Sequence, residues 1–402
     1  MSLPADDVLA LVAEVGSPFY VYDLAEVRAS AARLRGALPE GARVFYSLKA
    51  NPHPEVVATC LKSGLGVEVS SEGEWSSVPA GTPSSSIIYS GPGKTAAQLA
   101  EFARRWGGYV TAESLRELTQ VRRLGGFAGI LLRVNVTSDR RGASLTMSGR
   151  PSQFGIDDVE LLRDWAVHDL SAGDIAGFQV YAMSNQPDVE VIAGAAGDAL
   201  RFVRDCAELH GFRPSVLDLG GGFAAPFGRA GRSSLDGLRT ALRSELDGVP
   251  AAAEAALVFE SGRFLSAPAG TLYATVLDVK CSKGKRYVVL DAGVNAVAGL
   301  QASGRTLPAS LDVEVAHRGS AAGGSRPVVV TGPLCTPFDV LNREIELDVA
   351  AGDIVRVPNV GAYGLSAAAV GFLSRRLPAE VVVDGQRVLS ATRVTMVRGA
   401  CG

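Results

Sequence analysis

Short runs of β-branched and aromatic residues recur along the first two thirds of the chain. Between them lie stretches whose apolar residues repeat every three or four positions. The runs near residues 44–49, 66–70, 86–90, 109–112, 129–135, 177–183, 216–219 and 256–260 predict strands, and the stretches 97–106, 114–124 and 195–210 predict amphipathic helices between some of them. About eight strand–helix units over roughly 220 residues predict an α/β fold built as a TIM-like (β/α)8 barrel. An open doubly wound sheet is the alternative, because periodicity does not report closure.

Beyond residue 266 the texture changes. Strand-like runs at 271–280, 286–290, 327–331, 353–357 and 380–389 follow one another without long helices, and Asp384-Gly385 is a hairpin signal. This region predicts an antiparallel β-sandwich or barrel domain. The run 18–22 comes too early for the barrel count and is expected to join it. The expected domains are therefore a cofactor-binding barrel over 26–266 and a β domain made of 1–25 and 267–402. Gly/Ser-rich stretches at 228–235 and 318–326 are expected to be mobile loops.

Composition narrows the function classes. The 402 residues carry a formal net charge of −3 with both signs interspersed, and no basic stripe points to nucleic acid. No uninterrupted apolar run is long enough to span a bilayer, and the acidic start Met1 to Asp7 lacks the regions of a signal peptide, so the cytoplasm is the expected location. Five cysteines show no Cys-x-x-Cys spacing, and the four histidines are isolated, so neither a disulfide framework nor a metal site is expected.

Chemistry is sought at the C-terminal ends of barrel strands. Lys49 ends the first predicted strand, Glu68 lies on the second and Arg133 on the fifth. Tyr181 and Ser184 follow on the sixth, Gly220, Gly221 and Gly222 after the seventh, and Glu260, Gly262 and Arg263 at the eighth. A lysine at the mouth of a buried strand either snorkels to solvent or serves as a nucleophile whose amine burial has made neutral. Contiguous glycines let backbone N–H groups approach a phosphate, or simply form a strand-to-helix turn. Glu260 needs a partner at that depth, and a nearby arginine would serve. An amine, two carboxylates, two guanidiniums, an aromatic ring and two glycine turns suit an anionic, aromatic aldehyde.

Seven segments in order carry a resemblance: residues 45–51, 66–71, 90–94 (Ser90-Gly91-Pro92-Gly93-Lys94), 219–223, 260–263 (Glu260-Ser261-Gly262-Arg263), 332–335 (Gly332-Pro333-Leu334-Cys335) and 361–364 (Gly361-Ala362-Tyr363-Gly364). Together they resemble the fold-type III pyridoxal-phosphate decarboxylases, the family of diaminopimelate and ornithine decarboxylases. The resemblance implies that Lys49 holds pyridoxal 5'-phosphate covalently. Gly220 to Gly222, Gly262, Arg263, Ser184 and Tyr363 would seat the phosphate. Tyr181 would stack on the ring where many members have histidine. Glu260 would keep the ring nitrogen protonated, which argues for decarboxylation over the racemisation of the related alanine racemases, where an arginine stands. Glu68 would support the site as the second-strand acid, with Arg133 as its neighbour. Cys335 would enter from a partner subunit of a homodimer with shared active sites and protonate the α-carbon, a task open to a thiol that is mostly protonated at neutral pH.

Departures from the diaminopimelate pattern bear on the substrate. Thr336-Pro337 follow the cysteine where an acid is usual, with Asp339 retained further on, and residues 291–300 offer no basic residue before Arg305. The cofactor loop reads Tyr181-Ala182-Met183-Ser184-Asn185-Gln186. These features, with the stretch Met147 to Gly155, are closer to a biosynthetic branch acting on aminoacyl groups tethered to acyl carrier proteins, such as the glutamyl carrier decarboxylase of aminoglycoside side-chain assembly. The expected substrate is an amino acid or an aminoacyl carrier protein. Arg150, Thr336 and Asp339 are candidate substrate contacts. Diaminopimelate decarboxylase, a racemase or epimerase, and a non-catalytic cofactor carrier are the alternatives.

Overall fold

A computed structural model describes residues 3–138, 149–298, 310–319 and 324–399. Met147 and Ser148, the Gly299 to Arg305 stretch, and part of the loop expected at 318–326 lie outside the described residues. The chain divides into two units: Arg28–Ala224 with Ser233–Phe264, and Met1–Val27 with Ala225–Arg232 and Leu265–Gly402.

Eight parallel strands make the ring of the first unit: β1 (Arg43–Ser47), β2 (Gly66–Val69), β3 (Ile87–Tyr89), β4 (Tyr109–Ala112), β5 (Gly129–Asn135), β6 (Ile175–Gln179), β7 (Val216–Asp218) and β8 (Ala256–Ser261); a two-residue strand, Ile156–Asp157, adds to β5 outside the ring. β8 pairs with β1, and β4 pairs with β5, so the ring closes and the open-sheet alternative is excluded. Large side chains from alternate positions fill the interior: Phe45, Ile88, Leu131, Val216 and Val258 pack together, with Tyr109 and Ala176 against them.

Helices between the strands begin where the sequence supplies caps. Thr95 and Gln98 form a capping box at the start of Ala96–Arg105, Ser114 caps Leu115–Leu124, and Asp188 caps Val189–His210. The last helix starts six residues earlier than its apolar periodicity predicts, because the cap rather than the apolar face sets the first turn. After its first turn the Ala/Gly-rich stretch 192–200 is buried on all sides, so no polar face marks it as amphipathic.

In the second unit nine strands form one sheet, including Phe19–Asp23, as the early run predicted. The sheet is mixed rather than antiparallel. Phe19–Asp23 runs parallel to Ala379–Asp384, and Lys285–Leu290 runs parallel to Arg326–Thr331. Long connections between these partners permit parallel pairing, and a local turn signal does not report it. Asp384-Gly385 does close an antiparallel hairpin, between Ala379–Asp384 and Arg387–Thr392. The core of this unit includes Phe19, Val21, Tyr273, Val381 and Val383, and the rings of Phe19 and Tyr273 stack at 5.1 Å.

Ala225–Arg232 lies within the span expected for the barrel, yet it groups with the sheet unit. Its backbone is held there: Asn359 donates to the carbonyls of Arg229 and Gly231 at 2.6 and 2.9 Å, and Ala230 N–H donates to Asp312 at 2.9 Å. This part of the loop expected at 228–235 is therefore pinned by hydrogen bonds.

Gly177 allows β6 to approach β7. It adopts φ 155° at a register shift against β5, and a Cβ there would lie 1.9 Å from the Val216 carbonyl oxygen. Gly177→Ala is expected to lower the unfolding free energy of the apoprotein by about 1–3 kcal/mol. Urea denaturation checks this, and an unchanged midpoint would show that the strands can separate without cost.

Candidate active site

β1 ends at Ser47, and the chain turns through a single 3-10 turn, Leu48–Ala50, that carries Lys49 just beyond the strand. Tyr46 OH donates to the Asn51 carbonyl at 2.9 Å, and Asn51 Oδ1 accepts from His53 N at 2.9 Å, which fixes the turn. Lys49 Nζ lies 3.2 Å from Glu68 Oε2 and 5.6 Å from the centre of the Tyr181 ring. The side chain is 41 % exposed, so burial is not what conditions this amine; its setting is the ion pair with a fully buried carboxylate. Burial alone would raise Glu68, but Lys49 and the hydroxyls of Ser90, Ser47 and Ser70 outweigh it and hold the carboxyl below the usual glutamate value.

Tyr181 and Ser184 lie beyond the end of β6, not on it, because the strand stops at Gln179. Both are half-buried. The Gly220 to Gly222 turn follows β7 and is sewn to its neighbours. Gly220 O accepts from Glu260 N at 2.6 Å, and Gly222 O accepts from Gln186 N at 2.7 Å. A Cβ on Gly221 would lie 1.8 Å from the Glu260 carbonyl oxygen. At the end of β8, Glu260 is buried, Gly262 packs against Ala50 and Ser47, and Arg263 is buried at the start of a short helix.

The partner of Glu260 is not an arginine. Gln179 Nε2 donates to Glu260 Oε1 at 2.5 Å and lies 3.4 Å from Asp218 Oδ2, and Asp218 Oδ1 accepts from Gly220 N at 2.9 Å. Burial, then the neighbouring Asp218 and Glu68 charges, push Glu260 well above the usual carboxylate range; burial likewise raises Asp218 to about 6. Neither Gln179 nor Asp218 was singled out from the sequence. An acid inside the otherwise apolar run Val216-Leu217-Asp218-Leu219 was the available signal.

Arg133 is not the neighbour of Glu68. It pairs with Glu113, just past β4, at 2.8 Å and lies over the Phe154 ring at 4.6 Å. Glu113 also accepts from Gly91 N at 3.1 Å and Gly155 N at 3.0 Å, so one carboxylate ties three strand-end loops together. Alongside, Lys94 is buried against Glu117 at 3.1 Å, and burial lowers its ammonium below the usual lysine value. Glu113 follows a predicted strand directly, so the strand-end rule could have found it.

Arg150 is exposed, and its carbonyl accepts from Asn135 Nδ2 at 3.1 Å. Cys335, Thr336, Asp339 and Tyr363 belong to the sheet unit. Cys335 is exposed, and Tyr363 adopts φ 59°. Thr336 accepts weakly from Phe338 N at 3.3 Å. Asp339 is buried and therefore unsuited to be the substrate contact expected of it: its carboxylate accepts from Val294 N at 2.8 Å and Leu334 N at 2.7 Å. It is a clamp between the loop at 291–295 and the loop that presents Cys335.

Buried and exposed ion pairs should differ sharply in cost. Glu113→Ala strands the Arg133 guanidinium and should destabilise the apoprotein by about 3–5 kcal/mol. Loss of the exposed Arg104–Glu101 pair in Arg104→Ala should leave the urea midpoint nearly unchanged, because solvent screens it. Parallel urea titrations compare the two, and equal effects would refute the buried network.

Residues 24–267 match the family model described as "Pyridoxal-dependent decarboxylase, pyridoxal binding domain". L-glutamyl-[BtrI acyl-carrier protein] decarboxylase of Niallia circulans is 31 % identical, over 95 % of this chain and 92 % of that protein. Diaminopimelate decarboxylase of Zymomonas mobilis is 29 % identical, over 94 % of this chain and 90 % of its own length. The crystal structure of diaminopimelate decarboxylase from Helicobacter pylori complexed with L-lysine superposes with a TM-score of 0.82 at 23 % identity, covering 96 % of this chain and 97 % of that one. The side chains at the strand ends suit the cofactor of such a family: an amine set against a buried acid, a second buried acid on β8, and a glycine turn whose packed neighbours leave no room for a Cβ. The chain therefore belongs to the pyridoxal-dependent decarboxylases, and its cofactor is pyridoxal phosphate.

Proposed function

We propose that this enzyme removes the α-carboxylate of an amino acid presented as a conjugate, on an acyl carrier protein, in a biosynthetic pathway such as antibiotic assembly. The observation that carries the decarboxylase site is the Lys49–Glu68 contact of 3.2 Å at the end of β1, with Glu260 buried on β8. In this reading Lys49 would bind the cofactor's aldehyde. Gly220 to Gly222, Gly262, Arg263, Ser184 and Tyr363 would hold its phosphate, Tyr181 would stack on its ring, and Glu260 would serve its ring nitrogen. Bound there, pyridoxal phosphate supplies an electron sink for the carbanion left at the α-carbon.

The chain's own groups do the rest. Glu68 aims the Lys49 amine and, as an acceptor fed by three hydroxyls, keeps its charge in a buried position. Arg133 is held by Glu113 at the strand ends of the same barrel. Cys335 of the partner subunit delivers a proton to the α-carbon once carbon dioxide has left. The reading takes the enzyme as a cytoplasmic homodimer.

The carrier-bound substrate is supported by what the Cys335 loop lacks. In the loop at 332–339 the one acid, Asp339, is buried and occupied by backbone N–H groups, so it offers no carboxylate to grip the distal ammonium of free diaminopimelate. A tethered substrate needs no such grip. The carrier decarboxylase of Niallia circulans, 31 % identical, supports the same choice. Diaminopimelate decarboxylation is the second reading, favoured by the 29 % identical relative of that name.

Two measurements test these readings. Purified wild type should show the visible absorption of lysine-bound cofactor and release carbon dioxide. Lys49→Ala should lose both, and Cys335→Ala should keep the absorption while turnover falls about 100-fold or more. A wild type that stays colourless with excess cofactor would end the assignment. Second, mass spectrometry should record decarboxylation of an aminoacyl carrier protein with kcat/KM at least about tenfold above that of any free amino acid. Arg150→Ala should raise KM for the carrier substrate alone. A preference for free diaminopimelate, or an unchanged KM, would overturn the carrier reading or the role of Arg150 respectively.

A further inference from the structure

Asp218 and Gln179 are fully buried, polar, and unused by the chemistry outlined so far. Parallel pairing sets them side by side: Gln179 on β6 is in register with Asp218 on β7, and Asp218 with Val258 on β8, two residues before Glu260. The amide nitrogen of Gln179 thus reaches both acids, at 2.5 and 3.4 Å, while its carbonyl oxygen is buried with no hydrogen-bond partner. The opposite amide orientation would set that oxygen against an ionised carboxylate of the pair, which disfavours it. A neutral amide and the Gly220 N–H cannot balance two buried negative charges. The charged groups facing the pair from other elements are Glu68 on β2, which adds a third negative charge, and Lys49 after β1, which is committed to Glu68.

We propose that Gln179 and Asp218 are positioning residues for Glu260, binding its carboxyl into a hydrogen-bonded acid pair that retains a single proton. The pair behaves as coupled acids do when two carboxyls share one low-dielectric site: the first ionises, and its charge opposes the second. Asp218 therefore makes Glu260 a better proton holder, and Gln179, by donating to the ionised form, limits how far that goes. This proposal rests on the reading that Glu260 faces the cofactor's ring nitrogen, where a retained proton is what the electron sink requires.

The two residues have opposite predicted signs, and a purely structural role has none. Infrared difference spectra of the apoprotein, wild type minus Glu260→Gln, should show a protonated carboxyl at neutral pH. Asp218→Asn, which keeps the side-chain shape and the acceptor for Gly220 N–H, should shift its titration down by about one pH unit or more, a tenfold change in proton affinity. Gln179→Leu should shift it up. In the holoenzyme, Asp218→Asn should lower kcat about tenfold with KM unchanged and move the alkaline limb of the pH profile downward. An Asp218→Asn carboxyl titration that coincides with wild type overturns the proposal, whatever becomes of Gln179→Leu. If instead Glu260→Gln leaves the holoenzyme's spectrum and turnover intact, the assignment of Glu260 to the ring nitrogen fails, independently of the apoprotein titration.

Discussion

Three carboxylates, Glu68, Asp218 and Glu260, are buried at the ends of strands in one barrel, and their arrangement governs the polar chemistry there. Burying a charge is costly unless it is compensated, and the chain compensates these three differently. Glu68 has a cation and a ring of hydroxyls and stays ionised. Asp218 and Glu260 have an amide and a backbone N–H, and are held toward their neutral forms. The surroundings thereby push Glu68 in one direction and Asp218 and Glu260 in the other, the usual basis for dividing acid and base roles at neutral pH.

Close backbone approach is the means by which the barrel gathers these groups. The glycine turn after β7 touches the loop after β6 on one side and the end of β8 on the other, and a Cβ at Gly221 would collide with the Glu260 carbonyl. The hydrogen bond from Glu260 N to Gly220 O then locks the acid's backbone to the turn. A turn packed this tightly presents its N–H groups in fixed directions, which suits an oxyanion. The Arg133–Glu113 and Lys94–Glu117 pairs do comparable work on the opposite strands, fastening three loops around buried charges.

In the sheet unit the same economy appears at Asp339. Its carboxylate is consumed by backbone donors from two loops, and it fixes the segment bearing Cys335 without facing solvent. A residue type that reads from sequence as a substrate ligand is thus a structural clamp. Nothing in the spacing Cys335-Thr336-Pro337-Phe338-Asp339 separates the two roles, because both require an acid near the cysteine.

The order and number of barrel strands, the early strand Phe19–Asp23, and Lys49, Glu68 and Glu260 at strand ends were determined by the sequence itself, since alternation, caps and strand-end position are local properties. Barrel closure through the β4–β5 pairing, the parallel pairs in the second sheet and the pinning of Ala225–Arg232 were decided by contacts between distant segments. The same holds for every partner assignment. Arg133 chose Glu113 over Glu68, and Glu260 took Gln179 and Asp218 in place of an arginine. Which residue satisfies a buried charge depends on strand register and on the few ångströms between side chains, and one-dimensional spacing carries neither.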